Sequence, residues 1–304
     1  MSRIAIVGPG AVGSVLAALL HETGRHELTL CARRPVPAIR VRRDLTVIEF
    51  APAVVTDPLS APAVDWVLIV TKAYDSASAA RWLPRLCAAG AAVAVVQNGV
   101  EHRERFAGAV APGRLLPVMV DAPAERNDQG VVQRGAARLV VADSALGRDF
   151  VALFAGTTAD AGTTKDFTTA VWRKLCLNAA GVVSALTLRP AGVLRLDEAA
   201  TLAREIVREC AAVARAEGAA FADDVVEATL AACRAAPIDG VNSLLADRLA
   251  GRPTEIDARN GVIVRLGRKH GIPTPCNAMA VALFNVMTAA ESSAPLTSMS
   301  GGGT

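Results

Sequence analysis

The sequence predicts an α/β protein in which a parallel β-sheet covered by helices is followed by an all-helical part. Up to about residue 120, apolar runs such as residues 66–70 and 91–96 alternate with helical patterns, which is typical of parallel strands buried on both faces. From about residue 166, apolar residues recur at helical spacing instead. Helices are predicted near residues 168–180, 197–217, 223–235, 240–250 and 254–269.

The region between these two parts has a different pattern. Short alternating segments at residues 131–133 and 138–141, separated by a glycine, predict antiparallel strands that complete the sheet. We therefore expect a first domain at residues 1–165 and a helical domain at residues 166–291. The remaining residues, 292–304, are rich in serine and glycine and are predicted to form a disordered tail.

The composition excludes several classes of protein. With 52% hydrophobic but only 4% aromatic residues, the chain must build a globular core from small aliphatic side chains. The net charge of +3 is small and the arginines are scattered, so we expect no nucleic-acid partner. The longest uncharged run, residues 271–290, contains two prolines and two asparagines. It predicts a loop and an amphipathic helix and no membrane span.

The cysteines indicate neither a metal site nor disulfide bonds. They are Cys31, Cys87, Cys176, Cys210, Cys233 and Cys276. They form no C-x-x-C pair and have no neighbouring histidine pattern, so we expect reduced thiols and no bound metal. The first predicted strand begins at residue 3 and leaves no room for a signal peptide. A cytoplasmic protein is therefore expected.

A glycine motif follows the first predicted strand, residues 4–7. It reads G-x-G-x-x-G and leads directly into a predicted helix. In such motifs the first glycine permits a tight turn, the second lets a pyrophosphate approach the backbone, and the third lets the helix pack on the strand. The motif therefore predicts a Rossmann-type domain that binds a dinucleotide at the helix N-terminus. The alternative is a glycine-rich turn without a ligand. The predicted cofactor-binding residues here are Gly8, Pro9, Gly10, Ala11, Val12 and Gly13.

The end of the second predicted strand, residues 28–32, indicates which dinucleotide binds. An NAD site usually carries an acidic residue there for the ribose hydroxyls, whereas an NADP site offers arginine to the 2′-phosphate. Arg33 and Arg34 follow the strand, with no acid beside them. Because a guanidinium can bind phosphate with two hydrogen bonds, we predict NADP(H), bound by Arg33 first and Arg34 second. The alternative is two solvated arginines in a surface loop.

Two polar residues follow the next two strands. Lys72 comes after residues 66–70, and Asn98 comes after residues 91–96. Ligands of such folds bind outside the carboxyl ends of the strands. We therefore expect both side chains to lie near the cofactor.

The helical part carries a lysine and an asparagine in an apolar segment. Lys174 and Asn178 are four residues apart and therefore share one helix face. Burial would make the lysine a better proton donor to a carbonyl oxygen that becomes an alkoxide. The alternative is an ordinary solvated helix face.

A second polar stretch lies further along the chain. Thr254 and Asp257 have the spacing of a capping box after Pro253. Glu255, between them, most simply stabilises a helix N-terminus.

Taken together, these motifs resemble the ketopantoate reductase (2-dehydropantoate 2-reductase) family, NADP-dependent oxidoreductases that act on CH–OH groups in pantothenate biosynthesis. The resemblance extends to about residue 290. The matching segments are the glycine motif, Thr71-Lys72, Gln97-Asn98-Gly99, Trp172-x-Lys174-Leu175-x-x-Asn178, Ala185-Leu186-Thr187, Asn242-Ser243-Leu244 and Thr254-Glu255-Ile256-Asp257.

The resemblance implies a Rossmann domain joined to a helical domain, with a small 2-oxo acid bound in the cleft between them. Lys174 would be the general acid on the ketone oxygen, and Glu255 would hydrogen-bond the substrate and orient the lysine. The polar groups of the substrate would be bound by Asn178 and Ser243, with Lys72 and Asn98 near the nicotinamide and substrate. A homodimer is compatible with the sequence, which does not fix the oligomeric state.

One position departs from the family pattern, which usually places a second asparagine four residues after the first. Val182 stands there, and an apolar side chain cannot replace an amide hydrogen bond worth about 1–3 kcal/mol. Ser184 could substitute if the helix bends. Three alternatives therefore stay open: reduction of ketopantoate, reduction of another 2-oxo acid, and NADPH binding without catalysis.

Overall fold

The computed structural model of the protein describes residues 1–292, with side chains through residue 289. The chain divides into two compact units, Met1–Lys174 and a second unit that begins at Leu175. The predicted domain limits, 1–165 and 166–291, remain a prediction. The predicted tail, 292–304, lies outside the described residues except for Ser292, where the last helix ends.

The strands all belong to the first unit. They are β1 (Ser2–Val7), β2 (His26–Cys31), β3 (Ile39–Arg43), β4 (Thr46–Phe50), β5 (Ala53–Val55), β6 (Trp66–Ile69), β7 (Ala92–Val95), β8 (Leu115–Pro117), β9 (Met119–Asp121), β10 (Ala124–Asn127), β11 (Gly130–Gln133), β12 (Arg138–Ala142) and β13 (Asp160–Thr164). A parallel six-stranded sheet has the order β5-β2-β1-β6-β7-β8.

The helices of the first unit are short apart from the one after the glycine motif. They are α1 (Ala11–Glu22), α2 (Ser76–Ala80), α3 (Leu83–Leu86) and α4 (Ala145–Leu153). Helix α5 (Phe167–Ala180) runs through the boundary between the units. The second unit continues with α6 (Val182–Thr187), α7 (Asp197–Ala216), α8 (Val225–Ala235), α9 (Ser243–Leu249), α10 (Val262–His270) and α11 (Pro275–Ser292).

The parallel sheet is buried on both faces, as the apolar runs predict. Along β1, Ile4 and Ile6 pack into one hydrophobic cluster and Ala5 and Val7 into another. All four side chains are at most 1% exposed. Because successive side chains of a strand point to opposite faces, this division shows a core on each side of the sheet. The predicted fold class, a Rossmann-type α/β part followed by a helical part, is confirmed.

The short strands after residue 120 differ from the prediction. They do not complete the parallel sheet but form two smaller sheets, β10-β11-β3-β4 and β13-β12-β9. The reason is the hairpin β3–β4, which the sequence analysis did not identify. Its strand β3 pairs in parallel with β11, Val41 opposite Val131, so that β10 and β11 join the hairpin, whereas β12 pairs with β9 and β13. The turn of this hairpin places Asp44 in the left-handed region, at φ 51°.

The helical segment between β6 and β7 is interrupted. It is divided into α2 and α3, with Pro84 in the first turn of α3. Proline lacks the backbone N–H that a helix interior needs, so it is tolerated only at such a start.

The second unit packs its helices around small apolar side chains. On α7, Ala203, Ile206, Cys210 and Ala214 are fully buried and recur every three or four residues, as on the inner face of an amphipathic helix. Among the residues that the structure describes, none of the helices has the length and apolar character that a membrane span requires.

Candidate active site

The glycine turn after β1 is fixed by two close approaches. Gly8 has φ +92°, and a Cβ there would lie 2.9 Å from the backbone nitrogen of Thr71. A Cβ on Gly13 would collide with the carbonyl oxygen of Gly8. These two glycines are therefore required by the protein's own packing. Gly10 is different, because a Cβ there would meet nothing within 4 Å.

The residues around Gly10 fit the diphosphate of a dinucleotide. Gly10 is the N-cap of α1 and provides no side-chain cap, and the first turn of α1 contains no acidic residue. The N–H groups of that turn therefore keep their partial positive charge for an anion. The open space at Gly10 lies at this same helix end.

An arginine that the sequence analysis missed contacts the glycine turn. Arg126, an exposed residue of β10, donates from Nη2 to the carbonyl oxygen of Pro9 at 2.5 Å and to Ser14 Oγ at 3.1 Å. Strand β10 packs beside α1, which brings the guanidinium to the turn. Nothing in the local sequence of Arg126 indicates this contact, because it depends on the small sheet that carries β10.

The two arginines after β2 are exposed, and one of them has an acidic neighbour. Arg33 Nη2 lies 3.6 Å from Asp75 Oδ2, and the Arg33 side chain is 77% exposed. Such an exposed ion pair contributes at most about 1 kcal/mol, so it competes weakly with a phosphate group. Arg34 is also exposed. Asp75 is distant in sequence from both arginines, which is why the sequence analysis found no acid near them.

The loops that carry Lys72 and Asn98 are joined by one buried amide. Gln97, 3% exposed, donates from Nε2 to Thr71 Oγ1 at 3.0 Å and lies within 3.2 Å of Ser76 Oγ. These bonds tie the loop after β6 to the loop after β7. The structure therefore places Lys72 and Asn98 on two linked loops at the carboxyl edge of the parallel sheet.

A buried histidine supports the same loop. The Nε2 atom of His102 lies 2.9 Å from the carbonyl oxygen of Gln97, and Arg105 donates to the carbonyl oxygen of Asn98 at 2.9 Å. Burial, together with the positive charge of Arg105, lowers the pKa of His102 to about 4. The imidazole is therefore neutral at physiological pH.

Lys174 has a carboxylate partner that the sequence analysis did not identify. Its Nζ lies 2.5 Å from Oδ1 of Asp121, the last residue of β9, and the two side chains are 22% and 53% exposed. Lys174 is thus half-buried, with its charge balanced by an accessible acid. Glu255 belongs to the second unit, and its predicted pairing with Lys174 remains a prediction.

In the second unit, an unpredicted arginine joins two of the predicted substrate-binding residues. Arg259 donates from Nη2 to Asn178 Oδ1 at 3.1 Å and to Ser243 Oγ at 3.3 Å. The guanidinium is buried, Asn178 is half-buried and Ser243 is exposed. Two residues far apart in the sequence are therefore brought together over a buried positive charge.

Ser243 is held in place by its neighbour Asn242. The Asn242 side chain caps α9, accepting hydrogen bonds from the backbone N–H groups of Leu244 and Leu245 at 3.0 and 3.1 Å. Its amide group also donates to the carbonyl oxygen of Gly181 at 3.0 Å. Ser243 is therefore fixed at the first position of α9, next to the chain that links α5 and α6.

The segment around Glu255 differs from the predicted capping box. The helix begins at Ile256 without a side-chain cap, and a π-helical turn over Asp257–Gly261 precedes α10. Asp257 is bonded to Arg265 instead. The Glu255 side chain is 5% exposed and directly precedes the helix start, so both interpretations of this residue, helix N-terminus and substrate site, remain predictions.

The buried charges of this unit act on one another. Burial lowers the pKa of the Arg259 guanidinium, while the negative charges of Glu255 and Asp247 act in the opposite direction. Asp247 also accepts a hydrogen bond from Arg252 Nε at 3.0 Å. The arrangement can hold a polar or anionic group at the exposed side of Asn178 and Ser243.

Known proteins are similar to this chain over both of its units. The profile described as ketopantoate reductase PanE/ApbA matches residues 4–145, and its C-terminal counterpart matches residues 166–288. The chain is 48% identical over 286 residues to 2-dehydropantoate 2-reductase of Caulobacter vibrioides, covering 94% of this chain and 99% of the relative. It is 44% identical over 284 residues to 2-dehydropantoate 2-reductase of Mycobacterium tuberculosis, covering 92% and 96%.

Solved structures share the same fold. A PanE/ApbA family ketopantoate reductase from Ralstonia eutropha superposes with a TM-score of 0.87 at 31% identity, covering 96% of this chain and 100% of that one. A complex of D-mandelate dehydrogenase with NADH and anilino(oxo)acetate has a TM-score of 0.86 at 22% identity, with 96% and 100% covered, and shows the fold alone. The profile matches and the similarity to the curated relatives extend over both units, and the chain belongs to the ketopantoate reductase family.

Proposed function

We propose that the protein reduces 2-dehydropantoate (ketopantoate) to pantoate with NADPH. The observation that carries this proposal is the 48% identity to a 2-dehydropantoate 2-reductase over 94% of the chain. The family profiles match residues 4–145 and 166–288, and these ranges contain the glycine turn of the first unit and the Asn178–Ser243–Arg259 cluster of the second. In the net reaction the ketone takes up a hydride and a proton, and NADP⁺ is released.

The first unit carries the residues that would hold the cofactor. We assign the diphosphate to residues 8–13 at the N-terminus of α1, with Arg126 adding positive charge beside the turn. Arg33, with Arg34 next to it, would bind the 2′-phosphate. When bound, NADPH supplies the hydride for C2 of the 2-oxo acid. Lys72 and Asn98, on the two linked loops, would lie near the nicotinamide and the substrate.

Lys174 is our proposed proton donor. An ammonium group can donate a hydrogen bond to the ketone oxygen and transfer its proton as negative charge develops there. Asp121, 2.5 Å from Nζ, forms an ion pair that holds the ammonium group in place. Glu255 would hydrogen-bond the substrate and orient the lysine. Asn178 and Ser243 would bind the other polar groups of the substrate.

We also propose the setting in which the protein works. Its partner is a small 2-oxo acid rather than a nucleic acid, and its compartment is the cytoplasm. A ketopantoate reductase of Staphylococcus aureus that shares the fold, with a TM-score of 0.84 at 21% identity, is described as dimeric. We propose a homodimer here on that analogy, and the domain limits 1–165 and 166–291.

Val182 favours a second candidate, the same reaction on a different 2-oxo acid. Its side chain is fully buried and cannot offer the hydrogen bond of an amide. A substrate with one polar group fewer than ketopantoate would lose no hydrogen bond at this position.

Steady-state NADPH oxidation with ketopantoate and a panel of other 2-oxo acids tests the proposal. We expect the highest kcat/KM with ketopantoate. A higher kcat/KM with another 2-oxo acid would favour the second candidate. Tight NADPH binding without turnover of any acid would contradict both and indicate a non-catalytic NADPH-binding protein.

A further inference from the structure

We propose that Arg259 determines the specificity of the substrate site: it positions Asn178 and Ser243, and its buried positive charge selects substrates that carry a carboxylate. The inference rests on the proposed function, because it concerns the 2-oxo acid that this site would bind. Arg259 itself is treated as a positioning residue, which acts through the two side chains that it holds.

The hydrogen bonds of Arg259 fix the orientation of both neighbours. Asn178 Oδ1 accepts from Nη2 at 3.1 Å, so the amide is turned with its oxygen toward the guanidinium and its NH₂ group away from it. Ser243 Oγ also accepts from Nη2, at 3.3 Å, so the hydroxyl proton must point elsewhere. Both residues therefore direct donors away from the arginine, and donors are what a carboxylate requires.

In the part of the chain that the structure describes, no acid accepts a hydrogen bond from Arg259. The guanidinium is 3% exposed, and both of its hydrogen-bond acceptors are neutral groups. Its Nε and Nη1 atoms are buried and have no hydrogen-bond partner among the residues that the structure describes. A buried charge with unsatisfied donors is costly for stability. Its presence is therefore better explained by a role in ligand binding than by a contribution to folding.

Two buried acids act on this charge without accepting a hydrogen bond from it. Glu255 and Asp247 interact with Arg259 through space, and Asp247 also forms a hydrogen-bonded ion pair with Arg252. One turn past Asn178 the chain continues with Val182, which is fully buried and apolar. Arg259 therefore provides the positive charge beneath Asn178 and Ser243. In a site of low dielectric such a charge attracts a ligand anion more strongly than it would in water.

The expected consequence is discrimination by charge. A 2-oxo acid presents its carboxylate next to the ketone, whereas its methyl ester keeps the ketone but loses the negative charge. If Arg259 selects for the anion, its removal must reduce activity with the acid more than activity with the ester. A purely structural role would reduce both by the same factor.

The experiment compares wild type, Arg259→Met and Arg259→Lys. We measure kcat/KM for ketopantoate and for its methyl ester, with saturating NADPH. For Arg259→Met we expect the ratio of the two values to fall about tenfold or more, since removing one member of a buried charge interaction has large effects. Arg259→Lys keeps the charge but not the planar fork, so we expect it to retain part of the ratio. The ratio of the inhibition constants of pantoate and pantoate amide measures the same preference for a carboxylate without turnover.

Arg248→Met is the matched control. Arg248 is also a buried arginine of the second unit, 5% exposed, and it donates to the backbone carbonyl groups of Ala185 and Leu186. We expect its loss to lower the unfolding temperature but not the acid-to-ester ratio. The NADPH Kd of every variant reports whether the first unit is intact.

The possible outcomes distinguish a failure of this inference from a failure of the proposed function on which it rests. An active wild type whose acid-to-ester ratio is unchanged in Arg259→Met, or changed equally in Arg248→Met, would overturn the inference alone. A wild type that turns over no 2-oxo acid would overturn the proposed function and the inference with it. If another 2-oxo acid is the better substrate, the same comparison is made with that acid and its methyl ester.

Discussion

The two units use arginine in opposite ways. In the first unit the Arg33 side chain is 77% exposed and Arg126 is exposed as well, while the geometry of the site is set by the backbone of the glycine turn. In the second unit Arg259 is 3% exposed and is bonded directly to two side chains of the candidate site. The first arrangement can be altered one residue at a time, because Arg33 and Arg126 each make their own contacts and are not bonded to each other. The second is a connected network in which every change affects several members.

This difference leads to distinct expectations for substitutions. Truncating an exposed arginine should change the affinity for the phosphate that it binds and little else. Truncating the buried Arg259 should change folding stability, the orientation of its neighbours and substrate selection together. The following predictions test where this contrast holds and where it fails.

The largest effect is expected at Lys174, which sits on α5 at the boundary of the units. Because proton donation by a positioned side chain contributes about 10²-fold or more, Lys174→Ala should lower kcat by that factor and leave the NADPH Kd near that of wild type. Stopped-flow or steady-state turnover and a fluorescence titration of NADPH measure the two quantities. The control is Arg173→Ala, which removes a cation from the exposed neighbouring position. Unchanged turnover in Lys174→Ala would exclude the assigned role.

His102 is a buried titratable group of the first unit. Its substitution tests whether the pH dependence of folding stability comes from this residue. Its pKa is lowered to about 4, whereas an unfolded chain binds the proton at the ordinary histidine pKa of about 6.5. Below that pH the unfolded state therefore binds more protons than the folded state, and the free energy of unfolding falls as the pH decreases toward 4. The contribution of His102 to the free energy of unfolding is fully present above about pH 6.5 and amounts to up to about 3 kcal/mol.

Chemical denaturation of wild type and His102→Gln between pH 7 and pH 4 measures this contribution. We expect the variant to lose less stability over that range than wild type. Identical slopes for wild type and His102→Gln would show that the histidine does not titrate differently in the folded protein.

Arg33→Ala should change the cofactor preference without affecting the fold. A guanidinium bound to a phosphate contributes about 1.5–3 kcal/mol, so we expect the NADPH Kd to rise by about tenfold or more and the NADH Kd to change little. Isothermal titration with both cofactors measures the ratio. Arg34→Ala shows which arginine makes the main contact, and Arg42→Ala, exposed on β3, is the control. Equal weakening of NADPH and NADH would refute a 2′-phosphate contact.

The smallest effects are expected at Gly10 and Gly13, two glycines that have different roles in the turn after β1. A Cβ on Gly13 would collide with backbone, whereas a Cβ on Gly10 would enter open space. Gly13→Ala should therefore lower the free energy of unfolding by about 1 kcal/mol or more. Gly10→Ala should leave the unfolding temperature unchanged and weaken NADPH by a few-fold to about tenfold. Thermal unfolding without cofactor and an NADPH titration compare the two. Unchanged NADPH affinity in Gly10→Ala would argue against a cofactor at this position.

The parts of the molecule that could be predicted from sequence are those determined locally. The glycine turn, Lys72 and Asn98 follow directly from strands whose apolar runs are unmistakable, and the structure places them at the predicted sheet edge. Several helices of the second unit follow from spacing, so that α7 over Asp197–Ala216 nearly equals the predicted segment, whereas α6 was not predicted. In these cases the information lies within about a dozen neighbouring residues.

The residues that were missed depend on contacts between distant segments. Arg126 reaches the glycine turn only because β11 pairs with the unpredicted hairpin β3–β4. Arg259 lies in a π-helical turn, which has no sequence signature and which shifts the side chains relative to a regular helix. Asp121 meets Lys174 because β9 and α5 approach each other in the folded first unit. Tertiary pairing, rather than local propensity, decides all three.

Helix α5 has a mechanical consequence for the proposed reaction. It is continuous from Phe167 to Ala180 and carries Lys174 and Asn178 one turn apart, which corresponds to a rise of about 6 Å along its axis. That separation cannot change unless backbone hydrogen bonds of the helix break. The helix therefore fixes the spacing of the two Cα atoms: the backbone positions of the proposed proton donor and of one proposed substrate contact stay the same distance apart in every state that leaves α5 intact.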